Sequence, residues 1–295
     1  MELRHLRYFV AVAQTLHYRK AAERLHIVQP ALSKQISALE GELGVQLLER
    51  DRRHVALTDA GSAFLHEAIA VLAQADVAKA RAVAVSKGEI GQLSVGFIQP
   101  ALADLLPRAL RRFRREYPGV RIRLTELTNR GAAEQVSDRT VHCAFVRLPV
   151  DLRGALTAEP ISQQDVSLAV PDSHPLAAQE SVDIRELAGE ELILIDRQVE
   201  PQLHDYYTSL CNEAGFSPDI AHTVNSTWVA LGLVAGGLGV AFAPSSAKLV
   251  GQQGVAYRPL VGATPRLNIG LLWDDKACPE VLANFLRMRS WEARP

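Results

Sequence analysis

The pattern of residues 18–37 constrains the fold of this chain more than any other stretch. It describes two short helices joined by a tight turn. In the second helix Leu32, Ile36 and Leu39 recur at the i, i+4 and i+7 spacing of a helix that packs on one face, and Pro30 suits a first helical turn, where no N–H is needed. We interpret the stretch as a helix-turn-helix, although the periodicity also fits an ordinary pair of antiparallel helices with a solvated polar face.

The polar face of the predicted second helix carries the side-chain types that read DNA. Amides and hydroxyls hydrogen-bond to base edges in the major groove, and a lysine pairs with phosphates. In a helix-turn-helix the second helix lies in that groove. Together with two residues of the first helix, the candidate DNA-binding residues are Tyr18, Arg19, Gln29, Pro30, Ala31, Ser33, Lys34 and Gln35.

An arginine-rich tip follows the two helices. Short apolar runs at residues 47–48 and 55–57 flank it, as in a β-hairpin wing. Arginines on such a wing reach the phosphate backbone or the minor groove of DNA. The candidates for this contact are Arg50, Arg52 and Arg53.

Charge is distributed unevenly along the chain, although the net charge is only −1. Of the 32 basic and 33 acidic residues, nine and six lie in residues 1–58, which gives this segment a net charge of +3 and leaves −4 to the rest. A basic head on an acidic body indicates a DNA-binding module carried by a domain with another task.

Length and composition are those of an ordinary globular protein. The chain has 295 residues, 48% of them hydrophobic and 22% charged, which predicts two or three compact units. It shows neither a secretory leader nor an apolar run that would cross a membrane. The cysteines Cys143, Cys211 and Cys278 are scattered, without a metal-type pair. We therefore expect a cytoplasmic protein with no disulfide framework, no metal and no cofactor.

A long helix is predicted over residues 59–88. From Ala60 to about Val85 no proline interrupts, and apolar residues recur at spacings of three and four. Such a helix is roughly 40 Å long at ~1.5 Å per residue. Because its apolar stripe extends beyond a compact core, we expect the same helix of another subunit to cover it. The alternative is a helix that packs on its own domain.

From Ile90 onwards, buried strands alternate with helices. The first strands are predicted at residues 93–98, 120–127 and 141–146. This rhythm predicts a parallel, doubly wound sheet. It repeats from residue 167 onwards, so we expect two α/β subdomains with a ligand cleft between them.

The candidate ligand site lies where the predicted strands end. In open α/β sheets ligands bind beyond the C-terminal strand ends, where helix N-termini offer free N–H groups. Threonine and asparagine at such ends suit a carboxylate, and Arg147 is a candidate counter-ion, although an exposed surface arginine fits the sequence equally well. The candidate ligand-binding residues are Gln99, Pro100, Thr128, Asn129, Arg147 and Gln202.

A specific series of residues spans positions 21–61. The series is Ala21-Ala22, Leu25, Gln29-Pro30-Ala31-Leu32-Ser33, Ile36, Leu39-Glu40, Leu43-Gly44, Leu47-Leu48-Glu49-Arg50, Leu57-Thr58 and Ala60-Gly61. It fixes about a dozen positions and closely resembles the N-terminal domain of LysR-type transcriptional regulators. The chain departs from that family at Val28, where Ser is usual, at Leu48, where Phe is usual, and at Tyr18-Arg19-Lys20, where many members have small residues and Ser or Thr. These departures preserve the fold but blur which bases are read.

The resemblance covers essentially the whole chain and implies an architecture and a set of partners. It implies an N-terminal all-α winged helix-turn-helix, a long linker helix for dimerisation, and a C-terminal α/β effector-binding domain of two subdomains, like the periplasmic binding proteins. The implied limits are 1–58, 59–88 and 89–295, with subdomain I at 89–161 and 267–295 and subdomain II at 162–266. The implied partners are double-stranded promoter DNA, a small-molecule effector, RNA polymerase and further copies of the chain in a homotetramer.

Within this family, residues 1–12 and 230–235 are closest to regulators of aromatic degradation, of the benzoate-, muconate- and chlorocatechol-responsive kind. Those members carry a small hydroxyl residue or glycine in the loop where this chain has Gln99. A bulkier amide there alters or shrinks the pocket. The expected effector is therefore a small carboxylate, aromatic acids included.

Three other classes of protein fit the sequence less well. An enzyme is disfavoured because the sequence has no nucleophile elbow, zinc-binding HExxH or P-loop pattern, and the glycines of residues 236–239 precede a strand, on the wrong side for a dinucleotide. A standalone solute-binding protein would need export and would not carry residues 1–58. A redox sensor would use Cys211, which has no second cysteine near it in the sequence. We therefore expect a regulator without enzymatic activity.

Overall fold

The computed structural model describes residues 1–50, 55–152, 154–262 and 265–288, without the side chain of Arg50. The chain forms two compact units, Met1–Ala84 and Val85–Pro295. The predicted wing contacts of the Arg50 side chain, Arg52 and Arg53 lie outside the described residues. No helix in the described part of the chain combines the length and the apolar character needed to cross a bilayer.

The N-terminal unit is a helix-turn-helix with a small wing and one long helix. Leu32, Ile36 and Leu39 are fully buried together with Phe9, so the spacing that predicted the second helix also buries its inner face. The two wing strands pair antiparallel. The elements are α1 (Leu3–Thr15), α2 (Tyr18–Arg24), α3 (Gln29–Leu43), β1 (Leu48–Arg50), β2 (Val55–Leu57) and α4 (Asp59–Ser86).

Several contacts fasten the wing to the helices. The Glu40 carboxylate accepts hydrogen bonds from the N–H groups of Leu47, at 3.0 Å, and Leu48, at 3.1 Å. The Thr58 hydroxyl caps α4 by accepting the N–H of Gly61 at 2.8 Å. Gly61 lies directly against the wing, because a Cβ atom there would come within 1.9 Å of the Leu47 carbonyl oxygen. The start of α4 is therefore fixed in place.

The long helix α4 leaves most of its apolar residues uncovered in the single chain. Its buried residues are Gly61 and Ala68. Phe64, Leu65 and Leu72 are partly buried against the N-terminal core. Five other large apolar side chains are between 44% and 57% exposed, namely Ile69, Val71, Val77, Val83 and Val85. Several exposed valines and an isoleucine on one long helix are typical of an element that pairs with another chain.

The C-terminal unit contains two α/β subdomains with separate cores. The core of subdomain I surrounds Phe113, Phe145 and Phe285, whose rings pack edge to face. The core of subdomain II includes Tyr207, which stacks on Phe242. The elements in chain order are β3 (Ile90–Phe97), α5 (Gln99–Leu102), α6 (Leu105–Glu116), β4 (Gly119–Glu126), α7 (Asn129–Ser137), β5 (Cys143–Leu148), β6 (Leu156–Pro171), β7 (Val182–Asp183), β8 (Glu191–Ile195), α8 (Pro201–Glu213), β9 (Asp219–Val224), α9 (Thr227–Ala235), β10 (Ala241–Pro244), β11 (Val255–Val261), β12 (Arg266–Asp274) and α10 (Glu280–Met288).

Strand direction differs from the prediction of a parallel sheet. β4, β3 and β5 are parallel neighbours, as are β8 and β9. However, β12 runs antiparallel to β5 and to β6, and β6 continues antiparallel to β10 and β11. The purely parallel prediction is therefore wrong, because β6 enters subdomain II and β12 returns from it. Two neighbouring segments that cross in opposite directions can pair only in the antiparallel sense.

The strand β6 is also longer than the sequence pattern indicates. The predicted strand begins at residue 167, whereas β6 has 16 residues and begins at Leu156. Its first half contains Pro160 and polar residues, so it lacks the sequence pattern that predicts a strand. The structure accommodates the proline where it lies opposite Gly270, at a register shift in the pairing with β12. The predicted fold class is nevertheless confirmed, with a winged helix-turn-helix, a long helix and a two-subdomain α/β unit.

Candidate functional site

The N-terminal turn of α3 forms an exposed surface of mixed polar and apolar character. Gln29, Pro30, Ala31 and Lys34 are exposed there. Val28, the N-cap residue, is 68% exposed, and its side chain makes no capping hydrogen bond. A helix N-terminus with an exposed amide and a lysine has the chemistry to contact base edges and phosphates. The structure thus gathers these predicted DNA contacts at one end of one helix.

The other predicted DNA contacts are less exposed or already engaged. Ser33 and Gln35 are half-buried, and the side-chain oxygen of Gln35 lies 2.9 Å from Nε2 of His5, which ties α3 to α1. Tyr18 is half-buried and packs against the core. Arg19 is exposed and forms an ion pair within α2. Their contacts with DNA remain predictions, and Gln35 and Tyr18 also have a packing role.

A cavity of about 370 Å³ opens between the two subdomains of the C-terminal unit. The N-cap residues of three helices line it, Thr128 for α7, Glu200 for α8 and Ser226 for α9. Helix N-termini favour negative charge. The apolar part of the wall consists of Ile98, Leu127, Ile195, Val199 and Leu203. The cavity therefore suits an anion with an apolar body.

Arg147 lines this cavity at the end of β5 and is only 9% exposed. Its Nη1 donates a hydrogen bond of 2.8 Å to Oε2 of Glu200. The other carboxylate oxygen of Glu200 accepts the N–H of Asn129 at 3.2 Å. Among the residues that the structure describes, none accepts a hydrogen bond from the buried Nε of Arg147. The alternative of an exposed surface arginine is therefore wrong, and Arg147 is a buried cation whose Nε donor has no partner among the described residues.

The side chain of Asn129 holds Arg147 in position. Its Oδ1 accepts the backbone N–H of Arg147 at 2.6 Å, and its Nδ2 donates to the Arg147 carbonyl at 3.0 Å. These bonds lock the end of β5 to the start of α7 within subdomain I. Glu200 approaches from subdomain II, and the side chains of the ion pair are only 10% and 15% exposed. The pair is thus a nearly buried bridge between the subdomains.

The remaining predicted ligand residues divide between two cavities. Gln99 and Pro100 line the cavity of about 370 Å³, where Nε2 of Gln99 donates to Oε1 of Glu126 at 2.7 Å. Gln202 instead lines an adjoining cavity of about 890 Å³, together with Asn129. The structure therefore brings Gln99, Pro100, Thr128 and Arg147 together and leaves Gln202 outside this group.

Two N-cap residues of this cavity, Glu200 and Ser226, were not among the predicted ligand-binding residues. Glu200 directly precedes Pro201, and a proline in the first turn marks the preceding residue as an N-cap candidate. Ser226 directly precedes α9, and a serine at that position is also an N-cap candidate. Helix-start signals were therefore available for both residues.

The cysteine suggested by the redox alternative is buried. Cys211 has no exposed surface, and burial raises the pKa of its thiol to about 11. Because the thiolate is the reactive form, a thiol with a raised pKa reacts slowly with peroxide at neutral pH. Cys211 therefore lacks the environment of a redox sensor.

Two family models match the chain. The model described as the bacterial regulatory helix-turn-helix protein of the lysR family matches residues 3–62. The model described as the LysR substrate binding domain matches residues 86–288. The two matches fall on the winged helix-turn-helix and on the two-subdomain unit that carries the Arg147 cavity.

Curated relatives match over nearly the full length. The HTH-type transcriptional regulator AlsR of Bacillus subtilis is 38% identical over 260 residues, which cover 88% of this chain and 86% of that protein. The Hca operon transcriptional activator HcaR of Escherichia coli is 35% identical over 286 residues, which cover 97% of this chain and 96% of that protein.

A solved structure has the same fold over the whole chain. The crystal structure of CbnR, a LysR family transcriptional regulator, gives a TM-score of 0.89 at 32% sequence identity and covers 98% of this chain and 100% of that chain. Full-length CbnR complexed with its target DNA gives a TM-score of 0.86, also at 32% identity, and covers 99% of this chain and 100% of that chain. The predicted resemblance to LysR-type regulators, including the aromatic-degradation group, is confirmed.

Proposed function

The chain belongs to the LysR family of bacterial transcriptional regulators, and we propose that α3 reads its promoter DNA while a small carboxylate bound beside Arg147 controls its activity. LysR-type regulators are DNA-binding proteins with an effector-binding domain. The relatives of this chain reported above are named as transcriptional regulators or activators. We assign residues 1–58 to DNA binding, 59–88 to the linker and 89–295 to the effector domain.

The exposed N-terminal turn of α3 supports the proposed DNA contact. Its inner face is held by fully buried apolar residues, so the outer face has a fixed direction. Gln29 presents an amide that can bond two atoms of a base edge, and Lys34 presents a cation. Gln29 therefore supplies sequence preference, and Lys34 supplies phosphate affinity that does not depend on sequence.

Paired variants test this assignment on a site selected from genomic DNA. Gln29→Ala should lose about 1–3 kcal/mol of binding free energy at the selected site and none on random DNA. Lys34→Ala should weaken binding to both DNAs alike and reduce the salt dependence by about one phosphate contact. If Gln29→Ala left the ratio of specific to random affinity unchanged, α3 would not be the reading helix.

The unused donor of Arg147 carries the effector proposal. Glu200 occupies one side of the guanidinium, while Nε remains buried and unpartnered. A buried N–H without a partner carries a free-energy penalty that a ligand oxygen removes. The neighbouring N-caps, Thr128 and Ser226, place helix N-termini around the same space. A carboxylate is the anion whose two oxygens match a guanidinium.

The Glu200 carboxylate already makes the contacts that an effector carboxylate would make. It accepts from Nη1 of Arg147 and from the N–H of Asn129 at the start of α7. We infer that the effector competes with Glu200 for Arg147 and so weakens the bridge between the subdomains. The apolar wall near Ile98 and Leu203 then holds the apolar body of the acid, for which an aromatic ring is suited.

A change at this bridge can reach the DNA because the effector binds one arrangement of the subdomains better than another. The populations of the two arrangements then shift, and with them the spacing of the paired DNA-binding units on bent DNA. The exposed valines of α4 support pairing between chains, and we propose a homotetramer. RNA polymerase is proposed as a further partner, and the cytoplasm as the location because promoter DNA lies there.

Calorimetric titration of the full-length protein tests the effector class. The ligands are benzoate and cis,cis-muconate, with benzamide as the neutral analogue. We expect the two acids to bind and the amide not to bind, because Arg147 requires a negative charge. The fluorescence of Trp228 provides a second signal, since this side chain lies beside Gln99 and Pro100 at the cleft.

The variants for this titration keep the charge of the cleft balanced. Replacing both partners, Arg147→Gln with Glu200→Gln, should abolish acid binding while the circular dichroism spectrum is retained. Arg197→Gln, which removes an exposed arginine of the same subdomain as Glu200, should bind as the wild type does. Acid binding that survives in the double variant, or equal binding of benzamide, would contradict the proposal.

A further inference from the structure

We propose that Val28 is a specificity-determining residue that reads the 5-methyl group of one thymine in each half-site of the DNA target. The inference rests on the proposed role of α3. It goes beyond that role because it assigns an apolar readout to the residue that precedes the helix, in addition to the polar readout by Gln29.

Val28 has the largest exposed fraction, 68%, among the large apolar side chains that the structure describes. It directly precedes Gln29 and Pro30, which are also exposed. The isopropyl group is therefore exposed at the same end of α3 as the proposed base-reading amide. A single exposed valine is common on protein surfaces and needs no explanation. Val28, however, adjoins the N-terminal turn of α3, which is the part of the helix proposed to enter the major groove.

The backbone position of Val28 favours a different residue type. Its carbonyl accepts the N–H groups of Ala31, at 3.1 Å, and Leu32, at 3.2 Å, so it is the N-cap of α3. Serine, threonine, asparagine and aspartate stabilise this position by accepting a free N–H, whereas valine does not. The starts of α7 and α9 are capped by the hydroxyls of Thr128 and Ser226. Within the single chain the Val28 side chain thus contributes neither a cap nor core packing.

Contact with DNA gives this side chain a favourable environment. In the major groove thymine presents a methyl group beside its O4 acceptor, and apolar side chains distinguish thymine through that methyl. Packing an isopropyl group against it removes apolar surface of both groups from water. A serine at the same position would cap the helix, and its hydroxyl could form a hydrogen bond with several different bases. Valine cannot cap the helix, but it gives a preference for thymine.

The experiment removes only the methyl group. Random-sequence DNA is selected with purified full-length protein, and each thymine of the selected half-site is then replaced in turn by deoxyuridine. We expect wild-type affinity to fall about fourfold at one thymine per half-site, the factor that corresponds to burying one methyl group. Val28→Ser should be insensitive at that position and should select mixed bases there. Val28→Thr, which keeps one methyl group, should be intermediate.

A matched control uses another exposed valine of the same unit. Val45 is 48% exposed and follows the C-terminal end of α3, so Val45→Ser should keep the deoxyuridine sensitivity of the wild type. Equal sensitivity of wild type and Val28→Ser, or no sensitive thymine in the wild type, would overturn the inference. The Gln29→Ala variant decides separately whether α3 reads DNA, so failure of the one proposal is distinguishable from failure of the other.

Discussion

Arg147 and Glu200 form a nearly buried ion pair whose arginine retains an unused donor. Removing two charges from water is unfavourable, and their mutual attraction offsets this only when the remaining donors are also bonded. Among the described residues, the buried Nε of Arg147 has no hydrogen-bond partner. We propose that this donor contributes to the binding of a carboxylate.

Removing the carboxylate of this pair should therefore destabilise the effector domain. Glu200→Gln leaves the buried guanidinium without its counter-ion, and we expect a loss of about 3 kcal/mol in the free energy of unfolding. Urea unfolding followed by tryptophan fluorescence measures it. The control is Asp205→Asn, which breaks the pair with Arg197. The side chains of that pair are 51% and 68% exposed, so this variant should leave the free energy of unfolding nearly unchanged. Equal losses in both variants would contradict a buried bridge.

His142 makes the stability of the C-terminal unit depend on pH. Burial lowers the pKa of this histidine, and its Nδ1 accepts the N–H of Ser94 at 3.2 Å. The unfolded chain, with a histidine pKa of about 6.5, therefore takes up a proton more readily than the folded protein. The contribution to stability is complete above that pH and is lost as the pH falls towards the lowered pKa.

Urea unfolding at a series of pH values between about 7 and 5 tests this dependence. His142→Gln cannot titrate, and its side-chain oxygen can accept the same N–H, so the loss of stability towards low pH should be smaller than in the wild type. An identical pH dependence in the two proteins would show that His142 is not the group involved.

The secondary structure was predictable for helices and strands that bury one face and expose the other. The spacing of Leu32, Ile36 and Leu39 predicted α3, because the same periodicity that marks a helix also forms its core contact. The first half of β6 was not predictable, because Pro160 and its polar neighbours lack strand periodicity and are held by pairing with β12, more than a hundred residues away in sequence. Strand direction likewise depends on the path of the chain between subdomains, which no local pattern encodes.

The contact between α4 and the wing depends on one glycine. At Gly61 a Cβ atom would lie 1.9 Å from the carbonyl oxygen of Leu47. This is a backbone atom, so the clash cannot be relieved by a change of side-chain rotamer. Gly61→Ala should therefore destabilise the N-terminal unit by about 3 kcal/mol or more and weaken DNA binding. Thermal unfolding by circular dichroism and a DNA-binding titration measure the two effects.

Gly41 provides the matched control, because it lies in α3 with nothing within 4 Å of an added Cβ. Gly41→Ala should raise stability by about 1 kcal/mol through its better helix propensity. If Gly61→Ala were as stable as Gly41→Ala, the start of α4 would not be packed against the wing as described.

The cavity proposed for the effector could be predicted only in part, because its residues come from distant parts of the chain. Thr128 and Arg147 were predicted from their positions at strand ends, because ligands of α/β sheets bind there. The partner of Arg147, Glu200, is 53 residues further along, and only the folded chain brings the two together. Sequence alone therefore left open whether Arg147 is buried, and the structure decides it.

Assembly of several chains should depend on the exposed face of α4. Val77 is 57% exposed in the single chain, and a charge placed between two paired helices is unfavourable. Val77→Lys should shift the protein towards smaller species in size-exclusion chromatography with light scattering. The control is Val261→Lys, an exposed valine on β11 of the C-terminal unit. An unchanged mass for Val77→Lys would show that this face of α4 is not an interface.

A DNA footprint tests whether DNA reading is coupled to carboxylate binding. It uses the full-length protein on genomic DNA that the protein selects, at low and at physiological salt, with and without benzoate. We expect protection of paired half-sites separated by about whole helical turns, retained at physiological salt, with a pattern that benzoate changes in the wild type but not in the Arg147→Gln, Glu200→Gln double variant. Protection that disappears as salt rises and shows no half-sites would contradict a sequence-reading α3. A benzoate response that persists in the double variant would contradict control through Arg147.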